Sequence, residues 1–361
     1  MAGVSAAAHL APHGSVTLLE AESTLAYHTT GRSAALFVVN YGAQGARPLA
    51  AASARFLENP PDGTADGRLL SDRGLLWVAD QSQMGSLQAL AAEPMPQGFE
   101  TRLIDGESAL ELVPGLRSES LAGGLYEPAA RDIDVAALHQ VFVRIARRRG
   151  AEIRTGSPVT GIEPRNDGWL VTAGLEAIAT RIVVNAAGAW GDRVAELAGV
   201  SPIGLQPMRR TAFMVPGSLD FRDWPFVVDA DHRFYFKPDG VQVLCSLAEE
   251  DPSEPGDPKP RMEDVALAIE RINQATTLGI RTVNSQWVGL RTFSPDRDLV
   301  IGEEPSAPGF FWLVGQGGIG IATSPGYGAL LASLATATPL PDDLVRAGVD
   351  PTVTDPARFR S

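Results

Sequence analysis

Cysteine is nearly missing: Cys245 is the only one in 361 residues. No disulfide can form within the chain, and nothing suggests a small secreted scaffold held by disulfides. Lysine is almost as scarce, with Lys237 and Lys259 set against 28 arginines. Positive charge is outweighed overall, the formal net charge being −13, and the one dense basic run is Arg147-Arg148-Arg149. Nucleic-acid binding needs a concentrated basic surface to displace counterions from phosphates, so that class is set aside. Long apolar runs are lacking too. The densest, 34–39 and 310–314, fall well short of the ~18 residues of a membrane span. The first residues lack the basic start and long apolar middle of a secretory signal. A cytoplasmic protein without a transmembrane segment is expected. The five histidines and single cysteine show no ligand spacing, so no metal site is expected.

What is present suffices for a sizeable core. Hydrophobic residues make up 44% of the chain against 20% charged, which excludes a disordered polymer. At roughly 100–200 residues per domain the length corresponds to about two domains.

Near the start, Ser5-Ala6-Ala7-Ala8-His9-Leu10-Ala11 reads as a helix of small residues ended by Pro12 and Gly14. Ser15-Val16-Thr17-Leu18-Leu19-Glu20 then reads as an apolar strand closing on an acid. An acid about 20 residues beyond a glycine turn is where a dinucleotide fold grips ribose hydroxyls. Glu20 lies 17 residues after Gly3. A complete fingerprint has a strand and G-x-G-x-x-G before the helix, and only the last glycine, Gly3, is present. The expectation is part of a nucleotide-binding βαβ unit without its first strand and two motif glycines. An ordinary strand-helix-strand with a surface Glu20 remains open at this point.

Further on, Asp134 caps an expected helix with Val135, Leu138, Phe142 and Ile145 on one face, and Gly150 ends it. The three arginines fall in its last turn, where cations suit the helix dipole. His139 is read as a surface residue. Asn166-Asp167-Gly168 marks a turn between strands, and Arg181-Ile182-Val183-Val184-Asn185-Ala186-Ala187-Gly188-Ala189-Trp190 is a buried strand running into small residues. Between 206 and 285 the pattern changes to alternating strands near 211–215, 234–237 and 241–245, followed by a helix near 262–275. An antiparallel sheet with helical cover is expected there. The segment 251–260 carries four prolines and reads as a linker. Near the end, the strand 310–314, the loop Gly315-Gln316-Gly317-Gly318-Ile319-Gly320-Ile321 and a helix over 326–334 place backbone N–H groups at a helix start.

Several of these segments carry a resemblance. Tyr27-His28-Thr29-Thr30-Gly31-Arg32-Ser33-Ala34-Ala35, Asn185-Ala186-Ala187-Gly188-Ala189-Trp190, and the run from Gly289-Leu290-Arg291 through 315–323 are similar to the FAD-dependent D-amino-acid oxidase and glycine/sarcosine oxidase superfamily. Within it the chain most resembles the FAD-dependent D-arginine dehydrogenase type, through Asp132-Ile133-Asp134, Leu205-Gln206-Pro207-Met208-Arg209-Arg210-Thr211-Ala212-Phe213, Phe234-Tyr235-Phe236-Lys237-Pro238-Asp239 and Trp287-Val288-Gly289-Leu290-Arg291. The similarity covers nearly the whole chain.

The resemblance implies an α/β architecture: a glutathione-reductase-like, FAD-binding Rossmann domain from 1–45, 132–204 and 286–361, lacking its first strand. An interleaved α+β substrate domain on an antiparallel sheet would come from 46–131 and 205–285. It further implies that Ala2 and Gly3 lie near the FAD pyrophosphate, Glu20 on the adenosine ribose and Val159 beside the adenine. Thr30, Gly31, Arg32, Ser33, Ala34 and Ala35 would line the flavin, with Gly188 also at the cofactor. Gly317, Gly318, Ile319, Gly320, Ile321, Ala322 and Thr323 would face the pyrimidine end of the ring, where a helix start suits the charge of the reduced flavin. His28 would either orient the flavin loop or serve structure alone. Cys245, in the substrate domain, would lie far from any flavin tether.

For the substrate, the resemblance implies a carboxylate clamp of Arg210 and Arg291 with the hydroxyls of Tyr235 and Tyr41. Arginine suits this because its planar fork meets a carboxylate with two hydrogen bonds. The activity implied is oxidative deamination of a D-amino acid to a 2-oxo acid and ammonia, with hydride passing from the α carbon to flavin and then to oxygen or a quinone. The chain departs from the D-arginine type where a carboxylate should meet the guanidinium: Leu75 stands there, and Leu36-Phe37-Val38 follows the flavin loop. With Phe226 and Val228, this predicts an apolar pocket and a hydrophobic D-amino acid. Sarcosine, another N-alkylated or a cyclic amino acid is the alternative substrate. A flavin-free binding protein is the alternative of a different class.

Overall fold

The computed structural model describes residues 1–93 and 98–360, with the side chain of Leu219 excepted. Its first helix, Ala2–Leu10, packs between two others, Val135–Arg148 and Ser324–Thr336. Small side chains allow the close approach. A Cβ at Gly328 would lie only 2.1 Å from Ser5 Oγ and 2.6 Å from His9 Nδ1, so any larger residue there would push the helices apart. The Ser5 hydroxyl donates to the Ser324 carbonyl at 2.6 Å across the same crossing. The helix Val135–Arg148 is capped as expected, the Asp134 carboxylate accepting from the Ala137 N–H at 2.8 Å. His139 departs from the surface position expected of it. It is buried with Leu138 and Phe142 on the inner side of this helix, and burial holds its pKa down at about 4. The helix surrenders more of its circumference to the core than a narrow apolar stripe suggests.

Parallel strands flank these helices in two separate pieces. Thr17–Leu19 pairs with Glu152–Arg154, and Val183–Asn185 pairs with Phe310–Val314. Phe310–Val314 is an unbroken apolar run buried at every position and also pairs antiparallel with Val300–Glu303. An antiparallel three-stranded sheet turns tightly at 166–167, between Val159–Arg165 and Gly168–Ala173, and ends in Glu176–Thr180.

The largest sheet has eight strands in the order Ser285–Phe293, Gln206–Pro216, Gln242–Ser246, Tyr235–Asp239, Phe226–Asp229, Leu75–Ala79, Gly123–Glu127 and Arg102–Asp105. It is antiparallel apart from one pair: Phe226–Asp229 runs parallel to Leu75–Ala79, because that junction joins segments distant in the chain and no hairpin dictates its direction. Alternation divides its residues between two faces. Phe213, Val215, Phe236, Val243 and Cys245 pack under the helix Met262–Ala275. Leu75, Trp77, Met214, Phe226, Val228 and Tyr235 form the core of the opposite face.

A small sheet of Leu36–Phe37, Arg131–Ile133 and Leu70–Asp72 joins the two regions. At its centre Asp132 accepts from Arg73 Nε at 2.6 Å and from Lys237 Nζ at 2.8 Å. One of the two lysines is thus spent on a buried ionic bridge.

Candidate functional site

A cavity of about 2280 Å³ lies against the large sheet, the glycine-rich loop and the first helix. It also extends between the strands Thr17–Leu19 and Val183–Asn185, whose residues line it from both sides. Its size exceeds the roughly 300–1000 Å³ of ordinary small-ligand pockets and suits an extended dinucleotide plus a substrate. Backbone donors are available in it. The first-turn N–H groups of Ala2–Leu10 have no partner within the helix, since the first helical bond runs from Ser5 N to Met1 O. Ala2 and Gly3 both line the cavity. The residues present therefore fit an FAD: small side chains, free amides and a carboxylate at a strand end.

Most residues singled out from the sequence meet here. Ala2, Gly3, Glu20 and Val159 line the cavity, as do Thr30, Arg32, Ser33 and Ala34 of the loop after the first strand. Gly188, Gly317, Gly318, Gly320 and Ile321 line it too, with Arg210, Tyr235 and Arg291. Gly31, Ala35, Ile319, Ala322, Thr323 and Tyr41 are not among its lining residues. Gly31 has a structural reason: a Cβ there would lie 2.5 Å from the Ala26 carbonyl, to which its own N–H donates. Thr323 is buried and its hydroxyl donates to the Ile319 carbonyl at 2.9 Å, closing the turn that leads into Ser324–Thr336. Gly317 has φ +52 and packs on Phe293, where a Cβ would lie within 2.4 Å of the ring. Cys245 is buried on the opposite face of the sheet, and burial pushes its thiol pKa far up.

The two arginines come from adjacent strands. Met208 is opposite Arg291 in register and Gly289 is opposite Arg210, so both side chains leave the same face of the sheet as diagonal neighbours. Arg291 is half-buried, and its buried Nη1 has no hydrogen-bond partner. The Tyr41 hydroxyl lies beside it. Arg210 is held differently. Its Nε donates to the Glu249 carbonyl at 2.9 Å and its Nη2 to Glu250 Oε1 at 3.2 Å, while its guanidinium stands 5.9 Å from the centre of the Tyr235 ring. Burial lowers the Arg210 pKa, and the neighbouring Arg291 charge adds to the effect. Glu250 also pairs with Arg297 at 2.7 Å, so its charge is shared. The face is left electropositive with a buried N–H unspent, a combination that favours a small planar anion.

The loop Thr29–Arg32 is stitched to the same strand as Arg291. Thr29 Oγ1 donates to the Leu290 carbonyl at 2.7 Å, Arg32 Nη1 to the Val288 carbonyl at 2.9 Å, and Trp287 Nε1 to the Arg32 carbonyl at 2.9 Å. Arg32 also pairs with Asp257 at 2.7 Å. Hydrogen bonds from Lys259 and Arg32 hold the Asp257 carboxyl at about 2. The proline-rich segment is thus docked on the site rather than a free linker. Glu249, Glu250 and Asp257 were not foreseen; acids just before and within a proline-rich stretch that follows a strand are the signal that could have found them. His28 lines the cavity, bonds Glu22 at 2.9 Å and lies 4.7 Å from the Trp190 ring.

Behind Tyr235 lies an apolar cluster whose members Leu36, Val38, Leu75, Phe226 and Val228, expected at the substrate pocket, are not among the cavity's lining residues. Leu75, Phe226 and Val228 belong to one buried cluster with Tyr235, against which Tyr41, Leu36 and Val38 also pack. The Phe226 and Tyr235 rings are 5.2 Å apart.

Comparison with known proteins agrees with this geometry. The profile of the family described as FAD dependent oxidoreductase matches residues 1–334. Mitochondrial sarcosine dehydrogenase of Mus musculus is 26% identical over 282 residues, which cover 73% of this chain and 30% of that protein. The chain thus corresponds to about a third of the length of that curated relative. Among solved structures, L-proline dehydrogenase from P. horikoshii superimposes with a TM-score of 0.86 at 21% identity, covering 99% of this chain and 95% of that one. Glycine oxidase from Geobacillus kaustophilus gives a TM-score of 0.83 at 21% identity, covering 94% and 92%. Among the described residues, no helix is long and apolar enough to cross a membrane.

Proposed function

From the premise that the chain belongs to the FAD-dependent oxidoreductase family, we propose that it oxidises the Cα–N bond of a D-amino acid with a hydrophobic side chain. The observation that carries this is the pairing of Arg291 and Arg210 on the cavity wall with Tyr235, the Arg291 Nη1 being without a hydrogen-bond partner and Tyr41 lying behind it. An amino-acid carboxylate supplies the acceptors that these donors lack. The first-turn amides of Ala2–Leu10, the glycine-rich loop and Glu20 would hold FAD, whose ring would supply a hydride acceptor for the α carbon.

The chain's own residues do the positioning. Arg291 offers a planar fork that fixes the carboxylate in two dimensions, and Arg210 adds a second cation braced by Glu249 and Glu250. Tyr235 presents its hydroxyl from the cavity wall and sets the tilt of the carboxylate, while Tyr41, outside the lining, acts by supporting Arg291. Fixing one end of the substrate holds its Cα–H in a constant place, a contribution of the orientational kind. The cluster of Leu75, Phe226 and Val228 packed behind Tyr235 offers no acceptor for a cationic side chain, so a guanidinium reaching past Tyr235 would be unpaired and costly. The imine released hydrolyses to a 2-oxo acid and ammonia, and oxygen or a quinone serves as final electron acceptor.

A second reading, an N-alkylated or cyclic amino acid as substrate, is favoured by the sarcosine dehydrogenase and L-proline dehydrogenase among the relatives. Anaerobic mixing of FAD-loaded protein with a panel of amines separates the two. D-leucine and D-phenylalanine are expected to bleach the flavin, with kcat/KM for D-arginine lower by about 100-fold or more. Bleaching by sarcosine or L-proline without any by D-amino acids would replace the first reading with the second. Comparable turnover of D-arginine would overturn the apolar pocket, and protein that stays colourless after added FAD would overturn both.

A further inference from the structure

We propose that Glu127 is a positioning residue for the amino-acid site, acting through Asn40 and Trp77 to hold Tyr41 against Arg291. This rests on the reading of Arg291 and Tyr41 as a carboxylate clamp and extends it to a residue outside the cavity.

Glu127 ends the strand Gly123–Glu127, opposite Leu75, and is 5% exposed. Among the described residues it forms no ion pair, and burial raises its pKa. A buried carboxylate without a cation is costly to keep. Its two oxygens are nevertheless both used. Oε1 accepts the Trp77 indole N–H at 3.1 Å, and Oε2 accepts the Asn40 amide at 2.7 Å. The indole nitrogen can only donate, and the Asn40 amide nitrogen also donates to the Phe99 carbonyl at 3.1 Å. Two donors converge on one side chain, so two acceptors are required. A carboxylate places an acceptor oxygen before each donor, whereas a carboxamide would place an NH2 before one of them.

Both bonds lead to Tyr41. Asn40 is its neighbour in the chain, so the Glu127–Asn40–Phe99 bridge pins the backbone immediately before it. Trp77 supports it from the other side: its indole meets the His232 ring edge-on at 5.1 Å, and His232 lies 6.4 Å from the Tyr41 ring. The His232 turn is itself rigid. Its φ is +56, and the Asp229 carboxylate accepts from the N–H groups of Asp231 and Arg233 and from the Arg233 guanidinium. Glu127 thereby fixes both the chain behind Tyr41 and the surface beneath it. A brace for the strand alone would need neither the Asn40 contact nor the alignment of Trp77 with His232.

The test uses the full-length, FAD-loaded enzyme and benzoate, a carboxylate that cannot react, with its Kd read from the flavin spectrum. Glu127→Gln is expected to raise the KM for the amino acid and the Kd for benzoate by about fivefold to tenfold, with kcat changed less than about threefold. In a Tyr41→Phe background the same substitution is expected to change the benzoate Kd by less than about twofold, since its effect passes through Tyr41. Asn40→Ala, which leaves Glu127 and Trp77 in place, is expected to reproduce the rise in KM and serves if Glu127→Gln does not fold. An unchanged KM and benzoate Kd in these variants, or an undiminished effect in the Tyr41→Phe background, would overturn the proposal. Arg291→Lys runs alongside. Weaker benzoate binding in that variant with none in Glu127→Gln removes only the role of Glu127, whereas no change in either removes the clamp itself.

Discussion

The guanidinium of Arg291 rests directly on Gly318: a Cβ added to that glycine would lie 3.0 Å from both Cζ and Nη1. The hydrogen of Gly318 is therefore part of the seat in which the arginine lies. Gly318 lacks a positive φ, so alanine would meet no backbone strain and its effect would fall on the arginine. Gly318→Ala is expected to raise the KM for the amino-acid substrate about tenfold, equivalent to about 1.4 kcal/mol, through displacement of the clamp. Steady-state kinetics beside an unchanged thermal midpoint would check it.

Arg291→Lys keeps the charge and loses the fork. The shorter contact of an ammonium can meet one carboxylate oxygen and leaves orientation free, so kcat/KM is expected to fall about 100-fold, or about 2.7 kcal/mol. A loss below about threefold would show that charge alone suffices.

Leu75→Glu places a carboxylate in the apolar cluster of Phe226, Val228 and Tyr235. Without a cation it should destabilise the fold by about 1–3 kcal/mol. D-arginine should recover part of that loss, visible as a ligand-dependent rise in thermal midpoint absent from the parent. The ratio of kcat/KM for D-arginine over D-leucine should rise at least about tenfold.

Stability should also depend on acid at Glu304. Burial alone would raise its pKa, yet the Arg360 guanidinium, Ser306 and the Trp312 indole outweigh it and hold it at about 2. A folded-state pKa below the unfolded one stabilises above the unfolded value and stops doing so as pH falls through the folded value. Glu304→Gln is expected to cost about 1–2 kcal/mol at pH 7 and almost nothing near pH 2. Urea unfolding of both proteins across that range would show the two curves converging.

What could be read from the sequence was whatever repeats within a few residues. The helix Met262–Ala275, the strand Phe310–Val314 and the Asp134 cap follow from local periodicity and capping chemistry. Arg210 and Arg291 were singled out through the motifs that carry the resemblance, but their diagonal placement on the cavity wall is a consequence of register between Gln206–Pro216 and Ser285–Phe293. The inward turn of His139, the parallel junction of Phe226–Asp229 with Leu75–Ala79 and the Glu127 bridge to Asn40 join segments that share no local pattern. They depend on which surfaces meet after folding, and single-residue propensities carry no information about that.

The bond between Ser5 and Ser324 spans 319 residues, and this has a consequence for how the molecule is made. Its first helix emerges from the ribosome long before the helix that Gly328 admits against it. The same holds for Val183–Asn185, whose partner Phe310–Val314 lies well over a hundred residues further along the chain. Such high contact order means slow folding, with apolar edges exposed in the meantime. Yield of active protein will thus depend on chaperone capacity and growth temperature more steeply than its equilibrium stability alone would suggest.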